Sequence, residues 1–260
     1  MTARSRIATI ARSRIAAIAS RVPLTIGLAA LSGCAPANVG ELATEIVEAP
    51  GATGAGFGDV SRAIDGVRGG GEHAGSLDVY SLDYRERRHL VLGFEGRVIV
   101  DGPGPDLAVF ENGFRELERD AYFMDPVVVE VSPDGARWLA FPHDYVASDE
   151  TRYEPHPAAW EGFAGVTPVL LDTGRGELDP LDPRAGGDAF DLAELGGERA
   201  DEQALADEIR MRGARYVRLT SAAIVTNPDT GAPYPRDAVS DGADIDGVAA
   251  RLGDPSDEPR

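Results

Sequence analysis

Between residues 57 and 252 the chain is a succession of apolar runs of four to six residues, each cut off by Gly, Pro or Asp. The runs are 77–82, 89–94, 97–100, 106–110, 127–131, 137–141 and 214–219. Short strands with turn signals at such close spacing predict a sandwich or barrel. Several alternate: in Tyr216-Val-Arg-Leu219, Tyr216 and Arg218 would face one way and Val217 and Leu219 the other. Ser132-Pro-Asp-Gly135 has the chemistry of a hairpin turn, with Pro preset for the second position and Gly free to take positive φ. One segment, 201–211, has helical spacing, with Leu205 and Ile209 four apart and Ala204 on the same side.

The two ends read differently. The first 33 residues hold five arginines and no acid and close with the apolar run 22–31, too short to span a bilayer, which needs about 20 apolar residues. A basic stretch followed by a short apolar one is the pattern of an export signal. It ends in Leu31-Ser-Gly-Cys34, which resembles the lipobox of bacterial lipoprotein precursors. That resemblance implies cleavage before Cys34, acylation of its thiol, and a membrane-attached but otherwise water-soluble protein of the cell envelope. Ala35, rather than Asp, follows the cysteine, which by the sorting rule of some Gram-negative lipoproteins implies the outer membrane. Cys34 is the only cysteine, so no internal disulfide can form. Residues 34–56 lack apolar periodicity and read as a tether, and 253–260 as a disordered tail, leaving 57–252 as the folded domain.

Removal of the first 33 residues would leave 20 basic and 44 acidic side chains, a net charge of −24, with every basic residue an arginine. A surface this acidic repels phosphate backbones, which argues against nucleic acid as a partner, and suits divalent cations.

Two segments carry a family resemblance. Val129-Glu-Val-Ser-Pro-Asp-Gly-Ala-Arg-Trp-Leu139 and Ala214-Arg-Tyr-Val-Arg-Leu219 resemble strand signatures of the galactose-binding-like jelly rolls, the group that includes discoidin domains. The wider set 101–112, 186–192 and 244–248 is similar to bacterial cell-surface proteins of uncharacterised function. The resemblance implies an all-β fold, a jelly-roll β-sandwich of galactose-binding-like type with long loops and one short helix. The cysteine pair of the discoidins is missing, so their ligands do not carry over.

The densest chemistry is acidic. Asp101 and Asp106 bracket a Gly-Pro loop, Glu111 ends the next run, and Asp188 with Asp191 and Asp244 with Asp246 are further pairs at short spacing. Ca²⁺ takes six to eight oxygen ligands in tolerant geometry, which acidic loops supply. One Ca²⁺ site drawn from Asp101, Asp106, Glu111, Asp188, Asp191, Asp244 and Asp246 is the expectation; solvated turn carboxylates are the alternative. Alternation would put Asp244 and Asp246 on one face of a strand. His143, Tyr153 and Trp160 belong to an aromatic-rich segment that could stack on a sugar ring, or could simply pin a long loop to the body. The chain has no Gly-x-Ser-x-Gly, His-Glu-x-x-His or P-loop pattern. The expectation is therefore a lipid-anchored, non-enzymatic binding module, Ca²⁺-stabilised, for a glycan or a surface protein. A structural envelope protein and a carboxylate-dependent hydrolase are the alternatives.

Overall fold

The computed structural model describes residues 39–49, 51–54, 56–85 and 89–255. The segment expected to direct export, Cys34 and residues 256–260 lie outside the described residues. All described elements belong to one unit, Asn38–Arg260.

Alternation builds two antiparallel five-stranded sheets. The first contains β1 (Glu41–Leu42), β3 (Tyr80–Ser81), β5 (Leu107–Glu111), β8 (Asp188–Phe190) and β10 (Asp244–Ala250). Its order is β1–β10–β5–β8, and β3 also pairs with β10. The second contains β2 (Glu45–Glu48), β4 (His89–Gly93), β6 (Val127–Ser132), β7 (Leu139–Ala140) and β9 (Tyr216–Ser221), in the order β7–β6–β9–β4–β2. Leu107, Val109, Ile245 and Val248 of the first sheet meet Leu90, Leu92, Val129, Val131, Val217 and Leu219 of the second in one hydrophobic core. The architecture is thus an all-β sandwich with one α-helix, α1 (Ala200–Arg212), among the described residues.

In β9, Val217 and Leu219 are buried while Tyr216, Arg218 and Thr220 are half-exposed, as alternation requires. Arg218 pairs with Glu130 on the neighbouring strand and lies 4.4 Å from the Trp138 ring, so the strand signatures of the sequence meet on the outer face. The turn between β6 and β7 is built as the sequence dictates. Ser132 Oγ accepts from Asp134 N at 3.2 Å and Gly135 N at 2.8 Å, and Gly135 takes φ +77°. Central strand β5 is buried along its whole length, because its outward residues Ala108 and Phe110 lie under Val67, Val169, Leu171 and Ala185. Outside the second sheet, Val128 is covered by Met124, Tyr145, Trp160, Phe163 and Tyr234. Helix α1 spans one residue more at each end than the sequence predicts, and it buries Ala206, not Ala204, beside Leu205 and Ile209.

The domain begins earlier than the sequence suggests. Within the segment read as a tether, Glu41 pairs with Ala250 and Glu45 with Gly93, so β1 joins one sheet and β2 the other. Ala43 between them is buried in the core. Both are edge strands with exposed Glu41, Glu45 and Glu48, and outward carboxylates of this kind discourage edge-to-edge association. The predicted tail likewise starts late, since Gly253 still pairs with Val98.

A fragment starting at residue 57 should therefore be less stable than one starting at residue 38 by about 2–4 kcal/mol, the scale for removing one or two partly buried aliphatic side chains from a core. Urea denaturation reads the difference; equal midpoints would mean that β1 and β2 contribute nothing.

Candidate functional site

The seven carboxylates grouped on sequence fall into three places. Asp101, Asp106 and Asp191 form the first, with carboxylate oxygens within 4.8 Å of one another. Asp106 is fully buried at the start of β5. Its Oδ1 accepts from Gly102 N and from Arg251 Nε, both at 3.0 Å, and its Oδ2 accepts from Leu192 N at 3.1 Å. Arg251 Nη2 also donates to the Pro103 and Pro105 carbonyls. A guanidinium is therefore the counter-ion of this group, and the Gly-Pro loop is wrapped around it. Burial raises the Asp106 carboxyl to about 6 despite the Leu192 N–H and Arg251. Asp191 caps the short turn that follows, accepting from Ala193 N.

Asp246 stands alone. It is the extra residue of a bulge in β10, where the pairing with β5 slips between Ile245 and Gly247. The bulge breaks the count that would have placed Asp244 and Asp246 on one face. Both oxygens of Asp246 accept from Arg68 N at 3.0 Å, and burial lifts its carboxyl to about 7.

The third place unites Glu111, Asp188 and Asp244 with a residue the sequence reading did not select, Asp125. Glu111 ends β5 and is 2% exposed; Asp125, just before β6, is 7% exposed. Asp188 Oδ2 accepts from three successive backbone N–H groups, Gly165 at 2.7 Å, Val166 at 3.0 Å and Thr167 at 3.4 Å, an anion nest. Asp125 is hydrogen-bonded to Ser240, and Asp244 to Ser81 and Asn112. Glu111 Oε1 accepts from Asp244 N at 3.0 Å. Its Oε2 is buried and has no hydrogen-bond partner among the described residues. The oxygen points to the bare side of Gly113. Where a Cβ would stand at that glycine, Gly165 O lies 3.3 Å away, and Glu111 Oε2 and Phe123 O each 3.6 Å away. Burial, then the charges of Asp125, Asp244 and Asp188, hold the Glu111 carboxyl well above the usual carboxylate range.

A surface pocket of about 250 Å³ opens beside this group, lined by Phe57, Ser81, Phe123, Asp125, Ser240 and Asp244, with Asp241 and Val239 at its side. Phe123 is stacked on Phe114, ring centroids 5.2 Å apart, which fixes its orientation.

The aromatic segment does not supply a stacking platform. Trp160 is 1% exposed, packed 4.1 Å from the Tyr145 ring and edge-on to Phe163, and its Nε1 donates to Glu154 O. Tyr153 OH donates to Met124 O, and His143 Nδ1 bonds to Phe141 O with its ring against Phe163. These three residues pin the long loop to the body, the second of the two roles open to them on sequence. Their effect on the site is indirect: Tyr153 holds the backbone one residue before Asp125.

No family model matches the chain, and no curated protein matches it.

Two outcomes follow from the satisfied acids. Arg251→Ala would strand the buried Asp106 and should cost about 3–5 kcal/mol in urea denaturation, the range for removing one partner of a buried ion pair; a loss below about 1 kcal/mol would show that the loop and Leu192 N–H suffice. Burial is the first cause that raises Asp106 and Asp188 to about 6 and Asp125 and Asp246 to about 7, all from 3.8. A carboxyl that holds its proton more tightly in the fold than in the unfolded chain stabilises fully below the unfolded value, and that contribution is lost as pH rises through the folded value. In chelator-containing buffer the unfolding free energy should therefore fall from about pH 4 to about pH 7; a rise over that window would contradict the burial of these groups.

Proposed function

We propose that this chain is a lipid-anchored protein of the bacterial cell envelope, and that its folded part is a galactose-binding-like jelly roll acting as a non-enzymatic binding module for carbohydrate. Anchoring rests on the basic and apolar export pattern and on Leu31-Ser-Gly-Cys34, with the outer membrane following from Ala35. Among the described residues no helix is long and apolar enough to cross a membrane. The jelly-roll reading rests on the two strand signatures, which lie on neighbouring strands: 129–139 runs through β6 into β7, and 214–219 enters β9 beside β6.

The observation that carries the carbohydrate reading is the pocket between Phe57 and Phe123. Two aromatic rings supply apolar faces for the C–H side of a pyranose, and Asp241 and Asp244 supply oxygens for its hydroxyls. The volume is about 250 Å³, under the roughly 300–1,000 Å³ of typical ligand sites, which fits one ring of a glycan better than a long segment. Glycoside hydrolysis needs two carboxyl groups facing each other across the scissile bond. Of the carboxyls lining the pocket, Asp125 is hydrogen-bonded to Ser240 and Asp244 to Ser81 and Asn112, which favours binding over hydrolysis.

The test is a glycan array probed with residues 38–260, followed by calorimetry on the best binder. Phe57→Ala should weaken binding about ten-fold or more, equivalent to about 1.4 kcal/mol, and Asp241→Asn should weaken it as well. Absence of any glycan binding, or full binding by both variants, would sink the carbohydrate reading.

A further inference from the structure

We propose that Glu111 Oε2, together with the carbonyl oxygens of Phe123 and Gly165, seats a divalent cation of the Ca²⁺ class beside Gly113. The site goes beyond the carbohydrate reading and does not depend on it.

Three observations meet at this point. Glu111 is buried almost completely, yet one of its two oxygens has no partner among the described residues. A buried carboxylate oxygen without a donor costs several kcal/mol unless a proton or a metal satisfies it. The groups nearest that oxygen are themselves acceptors: the carbonyls of Gly165 and Phe123 lie 3.3 and 3.6 Å from the point where a Gly113 Cβ would stand, and Glu111 Oε2 lies 3.6 Å from the same point. Three acceptors around one point repel each other, and a cation placed between them turns that repulsion into attraction. Nearby charge has the same sign, since Asp125, Asp244 and Asp188 all bear on Glu111. The contrast with Asp106 is direct, because there Arg251 occupies the corresponding role.

The donor set selects the metal. Carboxylate and carbonyl oxygens without imidazole or thiolate disfavour zinc, and a mixed, irregular shell suits Ca²⁺ better than the strict octahedron of Mg²⁺. An ion must stay clear of the Gly113 Cα, so it sits outward of the Cβ position, around which the three oxygens lie at 3.3–3.6 Å. Two glycines make the approach possible. Gly165 has φ +82°, and a Cβ there would stand 2.6 Å from Asp125 O; Gly113 presents no Cβ toward the three oxygens.

The experiment is a thermal melt of residues 38–260 in millimolar Ca²⁺ and in excess chelator, with Ca²⁺ calorimetry alongside. At a Ca²⁺ concentration about 100-fold above the dissociation constant, mass action predicts a rise of about 5–10 °C in Tm for a domain of this size. Gly113→Ala puts a methyl group against the ion, closer than a cation tolerates, while making contacts with the protein no shorter than 3.3 Å. It should therefore melt like the parent in chelator and lose the Ca²⁺ shift. Glu111→Gln should also lose the shift, and Asp191→Asn and Phe57→Ala should keep it. No Ca²⁺ heat and no shift in the parent chain would overturn the proposal, as would a shift that survives in Gly113→Ala and Glu111→Gln. A parent insensitive to Ca²⁺ with a Glu111→Gln variant of raised Tm would identify a buried proton in place of the cation, and would overturn it equally.

Discussion

The structure depends on how carboxylates are buried along one pair of adjacent strands. Asp106 precedes β5 and Glu111 ends it; Asp244 begins β10 and Asp246 forms its bulge. Placing charge in the middle of a sandwich is costly, and each group must find donors or a counter-ion. Asp106 finds Arg251 and two N–H groups, and Asp246 finds Arg68 N. Apart from Gly102 N, these ties join residues far apart in sequence, so they fix loops on the sheet that strand pairing alone would leave free. Glu111 is the exception, with one oxygen satisfied and one not. The same chemistry that elsewhere locks a loop is here left one cation short.

Much of the sandwich was legible because strand alternation is local. Val217 and Leu219 against Tyr216 and Arg218, and the Ser-Pro-Asp-Gly turn, need only neighbours in sequence to be read. β1 and β2 were not legible, because two and four residues flanked by Glu carry no periodicity; they become strands only through β10 and β4, far along the chain. In β5 the alternation is masked, since Ala108 and Phe110 are covered by loops rather than by water.

The site was legible in its residue types and not in its grouping. Asp101, Asp106 and Asp191 come together only because 101–106 is drawn to the turn at 191–192, and nothing within either segment announces the other. Asp125 had a faint signal: a lone carboxylate between Met124 and Pro126, directly before three valines of a buried strand, has little choice but to be buried with them. Gly113 had none, because a glycine that leaves room for an ion reads in sequence like any turn glycine. For Trp160 the sequence left two environments open. An aromatic-rich loop offers rings either to a ligand or to one another, and Tyr145, Phe163 and Tyr234 supplied enough partners for the second.

The cation seat and the pocket are linked through Asp125 and Asp244, which line the pocket and bear electrostatically on Glu111. With 44 acidic side chains against 25 basic ones in the chain, repulsion among these acids opposes the close approach of the segments that carry them. A bound divalent ion removes most of that repulsion locally and draws the Phe123–Asp125 segment inward, which moves one aromatic wall of the pocket with it. Any ligand that prefers the contracted pocket must then strengthen ion binding by the same factor by which the ion strengthens ligand binding, because coupling free energy is reciprocal. Coupling of this kind needs no large motion. It requires only that one strand end carry both the orphan oxygen and the wall, and here the ladder between Phe114–Arg115 and Tyr122–Phe123 ties Phe123 to the stretch that follows Glu111 and Gly113.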